Sequence, residues 1–479
     1  MSAMPGHGRR QTGDGEASPA REMLPEKVAI LGFARSGRAL AEALCDRGVA
    51  VSVGDDKPES AFPEAHELRE RGVAFFFGGP KEALLEGAGW LAISPGVPLT
   101  APVVQAARRR RVPVLAEFEI AWRIAESEAA GENRWVAVTG TNGKSTTTAW
   151  IAEALRRAGR PVALAGNIGV PLSAFLSDRS GRDFVCELSS FQLETVERFA
   201  PQVAVLTNIT PDHLDRYPSF EAYARSKWRL FARQRPQDFS VVNADNPPSA
   251  GAPTPARRVP FSRAGHVAGG VWVEEGVILS EVRGERREVL AAERLALPGA
   301  HNLENALAVA AAALCLETPE YAIRDALTRF AGLPHRSELV AQARGVRWVD
   351  DSKGTNVDAT RKCLEGFPEG SVILILGGRD KQGDFPSLSG AVARAARCVL
   401  TIGEAAEVIE RALAGGAAIE RCGTMENAVL RASEIARPGE TVLLSPACAS
   451  FDAYASYEER GRHFATLARA VAAKTPRKE

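Results

Sequence analysis

The chain reads as an α/β protein of three domains, each with a parallel sheet covered by helices, and three observations carry that reading. Short runs rich in Val, Ile and Leu recur between helical stretches, as in Lys27–Leu31, Arg134–Thr139, Val203–Thr207 and Ser371–Leu376. Alternation of that kind is the pattern of buried parallel strands joined by helices. Glycine-rich or charged turns follow directly on several of these runs. Finally, 479 residues, 45% apolar and 25% charged, exceed what one compact core holds, which gives about three domains.

The blocks are expected at 25–121, 122–333 and 334–479. Before them, residues 1–24 carry Gly, Arg, Ser and Pro without an apolar segment and read as a disordered tail, not a secretory signal. Fifty-nine cations balance fifty-nine anions, so no global basic field points to nucleic acid or to anionic lipid. The seven cysteines are scattered and never form a C-x-x-C pair, which argues for a reducing, cytoplasmic compartment and against a zinc site. The longest apolar run, Ala306–Leu316, is about half of what a membrane-spanning helix needs, and no membrane insertion is expected. A monomer acting on small molecules is the expected state.

In the first block, strand Lys27–Leu31 runs into Gly32-Phe33-Ala34-Arg35-Ser36-Gly37 and a helix, where backbone N–H groups and a helix N-terminus can hold a diphosphate. Ala34 stands where a dinucleotide fingerprint has its second glycine, so a nicotinamide cofactor, and with it an NAD-dependent dehydrogenase, is the weaker alternative. Asp55 and Asp56 follow the second strand at the distance where ribose hydroxyls are received. The turn Ser94-Pro95-Gly96 ends a further strand.

The middle block opens on strand Trp135–Val138, then Thr139-Gly140-Thr141-Asn142-Gly143-Lys144-Ser145-Thr146, then a helix over Thr147–Arg157. This is a P-loop-type arrangement. Its glycines let N–H groups approach phosphate oxygens, Lys144 neutralises the transferred phosphoryl group, and Ser145 can ligate Mg²⁺. The glycines are three positions apart, not five as in the usual pattern. Glu187 ends the strand Phe184–Cys186, where a nucleotide-bound metal would sit. His213 follows the strand Val203–Leu206; taken singly each is more often a surface or packing residue, but their shared place after consecutive strands of a nucleotide-binding sheet points to a site. A β-leaning stretch, Val241–Leu297, forms a smaller β-rich part, and the helix from Pro298 carries Asn302 and Asn305 at helical spacing, with capping as the plain reading.

The segments Gly140–Thr146, Gly166–Gly169, Glu187–Glu194 and Asp212–Tyr217, with Lys227, resemble the central domain of the Mur ligase superfamily, a group that includes folylpolyglutamate synthetases. The resemblance implies ATP-driven amide formation with two Mg²⁺ ions, held by Ser145, Glu187, His213 and a carbamylated Lys227. Without it, Lys227 reads as a helix-surface lysine. It also implies adenine contact at Asn302.

In the third block, His335-Arg336, Asp350–Asn356, Leu376–Lys381 and Leu444–Asp452 each follow a strand-like run or the linker. They supply the cations and hydroxyls that a diacid amino acid needs, in Arg336, Lys381, Thr355 and Ser450. The set is similar to the superfamily's D-glutamate-adding members, and the resemblance covers about residues 25–470. What it implies is a ligase joining D-glutamate to UDP-N-acetylmuramoyl-L-alanine through an acyl phosphate. Asp351 would meet the ATP ribose and Arg336 the phosphates. Thr355, Lys381, Ser450 and Phe451 would serve D-glutamate, with Lys353 and Tyr457 also substrate-binding. Gly32, Arg35, Ser36, Gly37, Asp55, Asp56, Ser94 and Gly96 would hold the UDP moiety, with Asn167 and His213 near the muramoyl-alanine end. Asp56 and Lys57 stand where other members often have Thr and Arg, and Tyr457 replaces a Phe. A folylpolyglutamate synthetase-like ligase is the nearer alternative, although such chains place the phosphate loop close to the N-terminus.

Overall fold

A computed structural model describes residues 24–79, 82–128, 133–214 and 216–473. The expected tail lies outside them except for Leu24, which packs on the first core. The first sheet holds β1 (Lys27–Leu31), β2 (Ala50–Asp55), β3 (Ala74–Phe77), β4 (Trp90–Ile93) and β5 (Val114–Ala116), all parallel, in the order β3-β2-β1-β4-β5. The chain leaves β1 for one neighbour and reaches the other, β4, only later. A crevice therefore opens at their carboxyl ends, where Gly32 and Ser94 lie.

The central sheet has nine strands: β6 (Arg134–Thr139), β7 (Val162–Gly166), β8 (Asp183–Glu187), β9 (Val203–Leu206), β10 (Phe239–Asn243), β11 (Arg257–Ser262), β12 (Val271–Glu274), β13 (Val277–Ser280) and β14 (Arg287–Ala291). Their order is β14-β13-β12-β11-β10-β9-β6-β8-β7, parallel from β7 to β12. The β-rich stretch is continuous with this sheet: β12 pairs with β11, and two antiparallel hairpin steps extend the edge to β14. The switch point falls between β6 and β9, so the phosphate loop and the segment leading to His213 are the two banks of one crevice. The helix after β6 spans Lys144–Arg157, starting earlier than the expected Thr147 because Gly143, at φ 80°, ends the loop directly on it.

The third sheet orders β15 (Glu338–Ala343), β16 (Val346–Asp350), β17 (Val372–Gly377), β18 (Ala396–Ile402), β19 (Ala418–Gly423) and β20 (Thr441–Leu444) as β15-β16-β20-β17-β18-β19, with only β15 antiparallel. Strands β16, β20 and β17 are neighbours. The three segments after them thus emerge side by side at one sheet edge.

One apolar core runs from the first sheet through helix Glu117–Glu128 into one face of the central sheet. On the opposite face, helices Lys144–Arg157 and Ala300–Cys315 pack together. Every residue from Ala306 to Leu314 is buried, which explains the long apolar run as a helix surrounded on all sides. No helix among the described residues is long and apolar enough to cross a membrane.

Candidate active site

The phosphate loop is shaped by two glycines. At Gly140, φ is 148° and a Cβ would lie 2.0 Å from Thr207 Oγ1; at Gly143 one would lie 2.3 Å from Asn305 Oδ1. Both approaches exclude any side chain. The loop is lashed to the opposite bank: Thr207 Oγ1 donates to the Asn142 carbonyl (2.6 Å), Asn208 Oδ1 accepts from Asn142 N (3.0 Å) and its carbonyl from Thr141 N (2.8 Å). Lys144 Nζ folds back onto the Thr141 carbonyl at 2.8 Å. Burial lowers the Lys144 pKa, with Arg336 and Lys381 adding to the effect and Glu187 and Asp212 opposing it.

Beside Lys144, Ser145 Oγ and Glu187 Oε2 are buried and find no hydrogen-bond partner among the described residues. Glu187 is kept ionised: burial works against its charge, but Lys353 and Lys144 hold its carboxyl below the usual range. Its other oxygen accepts from Asn167 Nδ2 (2.8 Å), and Gly166 lies so close to the Glu187 carbonyl that a Cβ would come within 2.2 Å. Orphaned oxygens are rare in a native interior, and two of them beside a phosphate loop fit a hard divalent cation.

Lys227 is not on the surface. It is 1% exposed, its Nζ donates to the Gly140 carbonyl at 2.7 Å, and the ring of Tyr223 lies 4.6 Å away. Burial, with help from Lys144, pushes its pKa well below the ordinary lysine value. His213 sits in the left-handed region at φ 57°, edge-on to Phe191, with Nε2 3.7 Å from Asp212 Oδ2. Burial lowers its pKa to about 4 against the pull of Asp212, so the ring is neutral near pH 7.

A cavity of about 290 Å³ opens between the central and third sheets, with Asn142, Gly143, Thr146, Asn302, Arg336 and Asp351 in its wall. Asn302 is held by the Pro298 carbonyl (2.8 Å), so it serves its own helix and faces the cavity too. Arg336 Nε is buried with no partner among the described residues. Asp351 accepts from Ser445 Oγ (2.7 Å) and Ser337 N (3.2 Å), and burial raises its pKa to about 6. His301, next to Asn302, also lines this wall with an unpartnered Nδ1.

In the third domain, Lys353 Nζ lies over the Tyr457 ring at 5.1 Å; burial and the neighbouring Arg336 lower its pKa to about 8. Lys381 Nζ reaches Asp212 Oδ1 at 3.2 Å, and Asn356 Nδ2 reaches Asp212 Oδ2 at 2.9 Å. Residues Arg379 and Ala449 exchange backbone hydrogen bonds of 2.9 and 3.0 Å, which brings Lys381 and the buried Ser450 onto adjacent strands of chain. Thr355 lies half-buried on the segment after β16, its N–H on the Lys353 carbonyl. Phe451 is 63% exposed, whereas the Tyr457 ring lies beside Lys353.

Arg460, which carries no motif, is the element that joins two of these segments. It is 1% exposed and donates to Ser352 Oγ (3.0 Å) and to the carbonyls of Ser352 (2.8 Å), Cys448 (3.1 Å) and Ala449 (3.2 Å). The sequence signal for it was its place in the stripe Arg460, Phe464, Ala468 on helix Tyr457–Ala473.

The first-domain residues form a separate site, a cavity of about 660 Å³ lined by Gly32, Asp55, Asp56, Gly79 and Gly96 among others. Asp55 accepts from Phe33 N (2.8 Å) and Lys57 N (3.0 Å), so it braces the loop it was expected to line. Ser94 Oγ donates to the Gly32 carbonyl at 3.1 Å. A Cβ at Gly37 would lie 2.0 Å from that same carbonyl, so the turn needs glycine there. Ser36 is half-buried on the same turn, and Arg35 donates to the Gly169 carbonyl of the central domain.

A phosphate loop facing the loops of the third sheet, with a second cavity on the first domain, is the arrangement of a nucleotide-dependent ligase, and the chain belongs to the Mur ligase family. Residues 26–116 match the Mur ligase MurD-like N-terminal domain, 138–313 the Mur ligase middle domain, and 335–448 the Mur ligase glutamate ligase domain. Among its relatives, the UDP-N-acetylmuramoylalanine--D-glutamate ligase of Pelotomaculum thermopropionicum is 43% identical over 93% of this chain and 97% of its own. The protein of that name from Anaeromyxobacter dehalogenans is 43% identical over 94% and 98%. Solved structures share the fold: UDP-N-acetylmuramate-alanine ligase of Thermotoga maritima has a TM-score of 0.58 at 20% identity, covering 93% of this chain and 99% of that one. The MurF ligase of the same organism, in complex with ADP, has 0.59 at 16%, covering 89% and 95%.

Proposed function

We propose that this chain joins D-glutamate to UDP-N-acetylmuramoyl-L-alanine in an ATP-dependent reaction of peptidoglycan synthesis, in the cytoplasm. The observation that carries the reading is that the segments after β16 and β17, with Lys353 and Lys381, face the crevice where Lys144 stands beside the unpartnered oxygens of Ser145 and Glu187. Blocks 25–121, 122–333 and 334–479 serve the UDP-linked substrate, the nucleotide and the amino acid.

In the reaction so assigned, an oxygen of the alanyl carboxylate attacks the γ-phosphorus of ATP, and the bond to the bridging oxygen breaks to leave ADP. The amine of D-glutamate then attacks the acyl carbon, the C–O bond breaks, and phosphate leaves with the carboxylate oxygen. Lys144 and Arg336 offset the charge of a carboxylate approaching a polyanion. Ser145 and Glu187 would hold one Mg²⁺, and His213 with a carbamylated Lys227 a second; the metal supplies Lewis-acid neutralisation of the phosphates. Neutral His213 can ligate or accept without losing a proton first, and Lys227, buried and with a lowered pKa, has the free amine that CO₂ capture requires. Asn167 holds Glu187 and faces the muramoyl-alanine end; Lys381, Thr355 and Ser450 take the side-chain carboxylate of D-glutamate. Asn302 and Asp351 take adenosine, and the Gly32 turn with Asp55, Asp56, Ser94 and Gly96 takes UDP.

A complete first sheet ahead of the phosphate loop and relatives with the D-glutamate ligase name favour this over a folylpolyglutamate-type ligase or a dehydrogenase. Phosphate release from ATP with UDP-N-acetylmuramoyl-L-alanine and each of several amino acids tests it. Release that depends on D-glutamate is expected; release with another amino acid and none with D-glutamate would reject the assignment.

A further inference from the structure

We propose that Asp358 is a positioning residue that latches the third domain onto both banks of the phosphate-loop crevice. Its Oδ2 accepts from Asn142 Nδ2 at 2.7 Å and from Thr210 Oγ1 at 3.0 Å. Asn142 lies on the phosphate loop after β6, and Thr210 on the segment after β9. One oxygen of the third domain therefore clamps the two sides of the switch-point crevice.

The plain reading of Asp358 is an acid in the first turn of helix Val357–Leu364 with basic partners one turn on. That reading leaves the observed bonds unexplained. The helix is already capped by Asn356, whose Oδ1 accepts from Ala359 N at 2.8 Å. Arg361 takes the other oxygen, Oδ1, and Lys362 Nζ stands 3.7 Å from Oδ2. The two cations keep the carboxylate charged and offset its field beside a loop that must admit a polyanion. With the Asp358 side chain 13% exposed, its bonds across the boundary are largely desolvated and correspondingly strong.

Asn142 is well placed to transmit the contact. Its carbonyl is held by Thr207 and Asn208, and its side-chain amide meets the third domain twice, donating to Asp358 and accepting from Asn356 Nδ2 at 3.4 Å. The same helix start sends Asn356 to Asp212, and Lys381 joins there, so the latch sits beside the D-glutamate site of the proposed function, on which this inference rests. Its role is to set the distance between the amine held by the third domain and the acyl phosphate formed at Lys144. Loss of the latch should slow turnover and, because Arg336 and Asp351 of the third domain share the nucleotide cavity with Asn142 and Asn302, weaken ATP binding as well.

The test compares wild type with Asp358→Ala, Asp358→Asn, Thr210→Val and the Asp358→Ala/Thr210→Val pair. Breaking the two bonds to the Asp358 carboxylate should shift the balance between docked and undocked third domain roughly tenfold. Asp358→Ala should then show a larger radius of gyration by X-ray scattering without nucleotide, about tenfold faster amide exchange over residues 140–145, and about tenfold lower kcat. Asp358→Asn, which keeps an acceptor, should fall between. The double variant should be no worse than Asp358→Ala, since the Thr210 contact is already lost with Asp358. Wild-type scattering and exchange in Asp358→Ala, or strictly additive effects in the pair, would overturn the latch; should Asp358→Ala not fold, Thr210→Val still reads it through exchange and kcat. A wild-type protein without D-glutamate-dependent phosphate release would reject the ligase reading, while scattering and exchange would still decide the latch.

Discussion

Replacing Arg460 by Met keeps the unbranched stem out to about the position of Nε and removes the guanidinium with its donors, and the structure allows the cost to be worked out. Four bonds are lost, but the acceptors are not equally stranded. Ser352 Oγ keeps its own bond to the Tyr457 carbonyl (2.8 Å), and the Ala449 carbonyl keeps the Arg379 N–H (2.9 Å). The loss falls mainly on the carbonyls of Ser352 and Cys448, at about 1–3 kcal/mol for each buried group left unmatched. Relief from burying a guanidinium, whose pKa burial has already lowered to about 10, offsets part of it. The net expectation is a destabilisation of about 2–4 kcal/mol, concentrated in the two segments that Arg460 joins. Because a three-domain chain need not unfold in one step, the assay is local: amide exchange over residues 351–355 and 445–451, alongside the Michaelis constant for D-glutamate. Both should rise in Arg460→Met while exchange in the first domain stays constant. Unchanged exchange in those segments would refute the view that this arginine assembles the amino-acid site.

Lys144→Ala should abolish turnover in a folded protein, because its charge acts on the phosphoryl group in transfer; near-normal phosphate release would remove the loop from the mechanism. Lys227→Ala should be nearly inactive and partly restored by formate or acetate, whose carboxylate can occupy the vacated place; full activity without either would leave Lys227 a packing residue. Lys381→Ala should raise the Michaelis constant for D-glutamate far more than that for ATP, and the reverse split would contradict its assignment. Burial, with Arg336 and Lys362, holds His301 neutral down to about pH 4 in the native state, while the unfolded chain binds a proton at about 6.5. Stability from this group is therefore lost as pH falls through that window, and His301→Gln should lose less than wild type between pH 6.5 and 4, read from urea midpoints. A pH-independent difference would contradict the buried, neutral state.

Much of the fold was legible because local sequence carried it. Continuous apolar runs marked β1, β6, β9 and β17, and glycines at 140 and 143 marked the one loop that must pass under Thr207 and Asn305. The antiparallel edge strand β15 was missed: Glu338–Ala343 has one buried position and no clean alternation. The stretch Val241–Leu297 read as a smaller β-rich part because β-leaning composition is local, whereas the pairing that joins β11 and β12 to the central sheet is not. The same distinction governs the site. Lys227 looked like a surface lysine because its burial depends on the Gly140 carbonyl 87 residues away, and Asp358 carried no sequence signal because its partners lie 216 and 148 residues distant. Arg460 needed no distant knowledge, only attention to a charged residue in an otherwise apolar stripe.

The central claim is that an oxygen of the alanyl carboxylate passes to phosphate. The direct measurement is to supply UDP-N-acetylmuramoyl-L-alanine with ¹⁸O in that carboxylate, together with ATP, Mg²⁺ and D-glutamate, and to determine the isotope content of the released phosphate by mass spectrometry. One ¹⁸O atom per phosphate, in step with the amide product, is the predicted result; amide product accompanied by unlabelled phosphate would contradict the acyl-phosphate route and the roles given to Lys144, Ser145 and Glu187.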